Sequence, residues 1–202
     1  MITACNINNL QCNLSNFFLS VSDYSGTTNP LYDLNNALIA VLITTYLSLK
    51  YKIPKIFLII LILHIFIPFF LNGFLFTPEY MPDQFRYWNA VIQFRSLNFN
   101  FEESITVYTA GLLLSLVPIP FIFSLISIGI MNKLIFCMIF IYLYKNKFLN
   151  RTSAWFYLLY PSLALYSGLA LRDTLILFFM IISTSMLLRR FYFKAFLLAS
   201  PL

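Results

Sequence analysis

The stretch PKIFLIILILHIFIPFFLNGFLF, residues 54–76, decides the fold. Between Lys55 and Asn72 its only polar side chain is His64. Apolar runs cross a bilayer at about 17 to 25 residues, so this run predicts a transmembrane helix. Working outward, a marginal run covers 34–49, and a long one covers 105–144, broken by VPIP at Pro118 and Pro120. Two more follow at 153–169 and 172–188, and 191–202 is apolar again but stops before it could cross.

Composition agrees with that reading. The 202 residues are 60% hydrophobic and 10% charged, with a mean hydropathy of +0.82. A water-soluble domain carries about 25% charged residues. Too little polar surface exists here to cover a soluble globule, so lipid must be the solvent. The 23 Phe and 13 Tyr suit lipid-facing and interfacial positions. The expected fold is all-α: a polytopic transmembrane helical bundle with an external interfacial helix. Residues 1–33 form a polar external segment, and 34–202 the transmembrane domain, which includes an external loop at 77–104.

The charges set the expected orientation. Lys50, Lys52 and Lys55 lie between the first two runs; Lys145, Lys147 and Arg151 follow the third; Arg189, Arg190 and Lys194 follow the last. No acid interrupts these clusters, so the positive-inside rule makes all three cytoplasmic. Asp23, Asp33, Glu79, Asp83, Glu102, Glu103 and Asp173 then fall on the other side, external or periplasmic in a bacterial inner membrane. The net charge of +6 follows topology rather than nucleic acid, which is not an expected partner. Residues 105–144 must cross an odd number of times, which predicts a re-entrant or interfacial segment to about Ile122 and then one span.

Cysteine says little. Cys137 reads as inert filler, while Cys5 and Cys12 leave both a disulfide and two free thiols open. No Cys/His cluster has metal spacing. The start, MITACNINNLQCNLSNFF, lacks the basic opening and apolar core of a signal peptide.

Two polar groups interrupt the apolar frame. In PEYMPDQFRYWNAV, residues 78–91, Glu79, Asp83, Gln84, Arg86, Tyr87 and Trp88 crowd one loop. From Gln84 the pattern turns helical, with Phe85, Trp88 and Ile92 on one face and Arg86, Asn89, Gln93 and Ser96 on the other. That is an amphipathic helix at the membrane surface. Asp83 reads equally as its plain N-cap and as a carboxylate facing a cavity. In YPSLALYSGLALRDTLILFF, residues 160–179, Arg172 and Asp173 sit at the start of a minimal span. Charges there are functional candidates, or a snorkelling helix-end pair. His64 reads as a packing residue more readily than a proton relay, and Lys133 as reaching a polar cavity or an interface.

PDQFRYWNAV resembles the acidic external loop of GT-C membrane glycosyltransferases, which use polyprenyl-phosphate-linked sugars; Asp83 and Tyr87 stand in the matching places. PSLALYSGLALRDTLILFF resembles a helical hairpin of the same enzymes and of related surface-polysaccharide proteins. The likeness covers roughly residues 78–190. Two runs precede the loop here where that family often has one, and the chain is much shorter. Its ending, KAFLLASPL, is expected to mark a fragment or a reduced member. The resemblance implies an integral membrane enzyme of polysaccharide or glycolipid assembly with membrane lipid and a polyprenyl-linked donor as partners. Asp83 would be the catalytic base. Glu79, Arg86, Tyr87, Trp88, Arg172 and Asp173 would bind substrate, the arginines gripping phosphate and the aromatics stacking on sugar. A divalent metal shared by Asp83 and another carboxylate is compatible with these residues and not required by them. An O-antigen-type polymerase, drawing on Arg86, Arg95 and Arg172, and a non-enzymatic scaffold or transporter subunit are the alternatives.

Overall fold

A computed structural model describes residues 29–72, 75–76, 81–98 and 103–199. Cys5, Cys12, Asp23, Glu79 and Glu102, with the expectations attached to them, lie outside the described residues. Among the described residues the fold is all-helical, without strands. The helices are α1 (Pro30–Lys50), α2 (Lys55–Leu71), α3 (Asp83–Ser96), α4 (Ile105–Ser115), α5 (Leu125–Lys145), α6 (Arg151–Leu159), α7 (Pro161–Tyr166), α8 (Asp173–Leu188) and α9 (Tyr192–Ala199).

Helix α5 is the axle. Ser124 caps its start by accepting the Ser127 backbone N–H, and from Leu125 to Ile141 every residue except Met138 is buried. At 1.5 Å per residue its 21 residues span about 31 Å, the thickness of a bilayer core. Among the described residues it is the one helix long and apolar enough to cross a membrane. Around it pack α1, α2, α3, α6 and α8. Helix α2 runs antiparallel to it: Phe57 meets Phe140 and Tyr144, His64 stacks on Phe136, and Pro68 abuts Gly129. Helices α6 and α7 run down the same side in α2's direction, with the Tyr157 hydroxyl donating to Phe136 O at 3.2 Å. Helix α8 returns alongside α5, where the Tyr142 and Ser185 hydroxyls meet at 2.5 Å.

The VPIP break falls where expected. Helix α4 stops at Ser115, and α5 starts afresh at Leu125. At 11 residues, α4 is about 16 Å long, half a bilayer core. It pairs instead with α3, where Gly111 lies so near Ala90 that an added Cβ would sit 2.6 Å from the Ala90 Cβ. Three boundaries differ from expectation. Helix α1 begins at Pro30 rather than 34, because Asp33 is drawn into the bundle: its Oδ1 accepts from Ser124 Oγ at 2.5 Å and Ser127 Oγ at 2.7 Å. Helix α2 ends at Leu71, soon after Pro68. The 153–169 run is two helices, because Pro161 cannot donate to the preceding turn and instead opens α7.

Helix α1 is inverted relative to a water-facing helix. It buries Asp33, Asn36, Ala37, Ala40, Thr44 and Ser48 and exposes Leu34, Leu38, Leu42, Tyr46 and Leu49. Small and polar residues inside with leucines outside is the arrangement lipid favours and water opposes.

The three basic clusters and the described acids separate along the axle. Lys145 stacks over Tyr51 at the end of α1, 4.2 Å from the ring centroid, and Arg189 at the end of α8 donates to Asn146 Oδ1 at the end of α5 at 2.5 Å. All three basic clusters therefore share one end. Asp33 meets the start of α5 at the opposite end, and Asp83, Glu103 and Asp173 lie around the helix starts and loops there.

Candidate functional site

The acid end is built around a stretch of irregular backbone, Ser167 to Arg172, between α7 and α8. Ser167, Gly168, Leu169 and Ala170 are all buried there. Non-helical backbone cannot satisfy itself, so its N–H and C=O groups need partners from elsewhere. Local backbone takes up the Ser167 and Gly168 N–H groups and Arg172 O, and two consecutive residues of helix α5 hold much of the rest. Asn132 Nδ2 donates to Leu169 O and Leu171 O, each at 2.7 Å. Lys133, fully buried, donates to Ala164 O at 2.6 Å and Ser167 Oγ at 2.8 Å. Its third donor faces His64 Nδ1 at 3.5 Å. The other imidazole nitrogen lies 2.8 Å from Leu158 O and so carries the proton, leaving Nδ1 as the acceptor. Sequence reasoning handled His64 and Lys133 separately; the fold joins them as one clamp. An ionisable residue in the middle of a long apolar run was the available signal.

One turn lower, Gly129 admits the backbone itself. A Cβ there would stand 2.6 Å from Gly168 O and 2.9 Å from the Pro68 Cβ. The last contact comes from the loop helix: Ala170 N–H donates to Gln84 Oε1 at 3.0 Å. Gln84 is fully buried, and it turns α3. The apolar face read from the sequence, Phe85, Trp88 and Ile92, is only half-buried, while Gln84, Tyr87, Ala90 and Val91 point in. Gln84 accepts from the Ala170 N–H while its own buried Nε2 finds no partner among the described residues, and Phe85 packs half-buried against the core.

This bond brings the two sequence-predicted groups side by side. Burial pushes the Tyr87 phenol above its usual pKa; Arg172 opposes that shift, Asp83 and Asp173 add to it, and Arg86 opposes it. All four charged groups therefore act on one phenol. Tyr87 is only 8% exposed, and its ring packs into the core. Trp88 keeps a half-exposed face. Asp83 is the first residue of α3, with Pro82 at the cap position and no side-chain cap bond, so the plain N-cap reading does not hold. Its exposed carboxylate lies 3.4 Å from Arg86, whose Nε and Nη2 both donate to Glu103 Oε2, at 2.9 and 2.7 Å. Glu103, absent from the expected site, is thus the main partner of Arg86. Arg172 is half-buried and Asp173 exposed, and among the described residues neither makes an ion pair.

Arg95 is committed elsewhere. Its Nη1 donates to Ile119 O at 2.5 Å and its Nη2 to Val117 O at 2.8 Å, tying down the VPIP turn. Beside Asp173 opens a cleft of about 380 Å³ between α7 and α8, walled by Tyr160, Leu163, Tyr166 and Leu177, with Ser162 and Thr174 at its edge. Asp83 does not line it. Among the described residues no group of three or more His, Cys, Asp or Glu gathers to hold a metal ion. Set against known proteins, the chain matches no family model, no curated protein and no solved structure.

Proposed function

We propose that the chain is an integral membrane transferase that moves a sugar from a polyprenyl-phosphate donor to a hydroxyl acceptor at its acid end. The observation that carries this reading is the Ala170–Gln84 hydrogen bond, which ties the helix that begins at Asp83 to the turn that leads into Arg172 and Asp173. Membrane embedding rests on the inverted α1 and the bilayer-length α5. The proposed crossings are α1, α2, α5, α6 with α7, and α8, and the acid end faces outward from a bacterial inner membrane. Loop helices α3 and α4 lie at that surface.

The chemistry follows from what each side chain has free. The acceptor hydroxyl gives its proton to the exposed Asp83 carboxylate as its oxygen bonds to the sugar's anomeric carbon. The bond from that carbon to the phosphate oxygen breaks, and the leaving lipid phosphate keeps the electron pair. Arg172, unpaired among the described residues, grips the phosphate. The cleft beside Asp173 takes the first isoprene units, since its walls are almost wholly apolar. With Arg95 spent on backbone carbonyls and Arg86 on Glu103, too few arginines remain for the polymerase alternative.

Asp83→Asn tests this in the full chain reconstituted with a radiolabelled polyprenyl-phosphate sugar. The amide preserves the shape and removes the charge a base requires. Transfer is expected to fall by about two to four orders of magnitude with unchanged thermal unfolding. Equal transfer by parent and variant removes Asp83 from the mechanism, and no transfer by either favours the scaffold reading.

A further inference from the structure

The basic end carries a feature that the transfer chemistry does not use. Between the end of α5, the turn after it and α8 lies a second cleft, of about 310 Å³, lined by Leu143, Phe148, Met180, Ile181 and Leu188. Its walls are mostly apolar, with Thr184 and Ser185 the polar residues that line it, and cations adjoin its lining in sequence: Phe148 directly follows Lys147, and Leu188 directly precedes Arg189 and Arg190. Arg189, exposed just past the end of α8, donates from one guanidinium nitrogen to Asn146 Oδ1 at the end of α5. Among the described residues no acid pairs with any cation at this end; Lys50, Lys145 and Lys194 rest on aromatic rings instead.

We propose that this cleft binds an anionic phospholipid of the inner leaflet, with an acyl chain along α8 and the phosphate on Arg189 and Lys147. Two features select that occupant. The groove is apolar and about the size of a small-molecule site, so it suits a hydrocarbon chain rather than a free anion. The rim is cationic and acid-free, which favours a negatively charged headgroup; a guanidinium fork pairs with phosphate through two N–H donors. A zwitterionic lipid would fill the groove equally well without satisfying the rim. The proposal rests on the membrane embedding and the orientation proposed above, and on nothing of the transfer chemistry, because it concerns the opposite end.

Native mass spectrometry of the full chain, released from nanodiscs of phosphatidylcholine with a minority of phosphatidylglycerol, reads the retained lipid. Phosphatidylglycerol is expected to be retained well beyond its share of the bilayer. Arg189→Gln should cut that preference by about fivefold, the effect of one cation at an anionic surface. Thr184→Trp, which fills the groove from an exposed position on α8, should abolish retention while every cation stays in place. Lys55→Gln, in another cluster, should leave retention unchanged. Retention indifferent to headgroup, or undiminished in both the Arg189 and Thr184 variants, overturns the site. Competition by glycerol phosphate as effective as by the lipid overturns the groove's part in it. A chain that partitions into water overturns this proposal and the membrane reading together.

Discussion

At the basic end, α1, α5 and α8 finish in the same way. Each has a residue in the left-handed conformation just past its cap: Lys52 (φ 56°), Lys147 (φ 59°) and Arg190 (φ 62°). Each closes with the bond from two residues past the cap back to the last turn, such as Ile53 N–H to Ser48 O at 2.9 Å and Phe148 N–H to Leu143 O at 3.0 Å. These are Schellman endings, which satisfy helix carbonyls from the backbone alone. At the acid end, Ser167 to Arg172 closes partly on local backbone and partly on Asn132 and Gln84, side chains far away in sequence, while Lys133 holds the Ser167 hydroxyl. Local closure leaves a helix end indifferent to its side chains. Closure by distant side chains makes each of them a condition for the shape, and that is how the Arg172–Asp173 pair is positioned.

The largest effect tests whether the two ends face different compartments. Cysteines placed singly at Asn98 and Lys145, with the native cysteines replaced, should react with an impermeant thiol reagent from opposite sides of the membrane. The outcome is all or none. Labelling of both from one side would break the odd-crossing arrangement of residues 105–144 and the outward placement of the acid end.

Next in size are changes to the acid-end clamp. Gln84→Leu deprives the Ala170 N–H of its buried acceptor, at a cost of about 1 to 3 kcal/mol in stability. Gly129→Ala drives a Cβ into Gly168 O and Pro68, neither of which can swing aside, and costs a similar amount, about 1 to 3 kcal/mol. Both should loosen the 167–172 turn first, read as faster amide exchange there than in α1. Uniform exchange across the bundle would mean that the turn is not a separately held unit.

These contrasts also explain what could be read from the sequence. Long apolar runs and acid-free basic clusters depend only on neighbouring residues, so the helices, the VPIP break and the segregation of charge were all legible. Asp83, Arg86, Arg172 and Asp173 stood out for the same reason, as charges in an apolar frame. The clamp did not, because nothing local to Gln84 announces Ala170, and nothing local to Lys133 announces Ser167 or His64. The burial of Tyr87 was hidden for a related reason: it depends on the orientation of α3, and Gln84 turns that helix through a partner far away in sequence.

The smallest effect tests the basic end alone. Lys52 is exposed, and its left-handed backbone costs a side-chain-bearing residue about 1 to 2 kcal/mol per residue relative to its preferred conformations. Glycine carries no such penalty. Lys52→Gly also removes a cation from the end of α1, where the helix dipole favours positive charge by about 0.3 to 1 kcal/mol. The glycine further frees the unfolded chain, which offsets part of the gain. The expected sum is a variant within about 1 kcal/mol of the parent in either direction, measured by thermal unfolding in the same nanodiscs as the parent. Lys52→Val separates the two contributions, because it loses the same charge but adds a branched Cβ in the strained conformation. It should be clearly less stable than Lys52→Gly. If both variants lose stability equally, the charge holds this helix end, and the basic end is no more locally closed than the acid end.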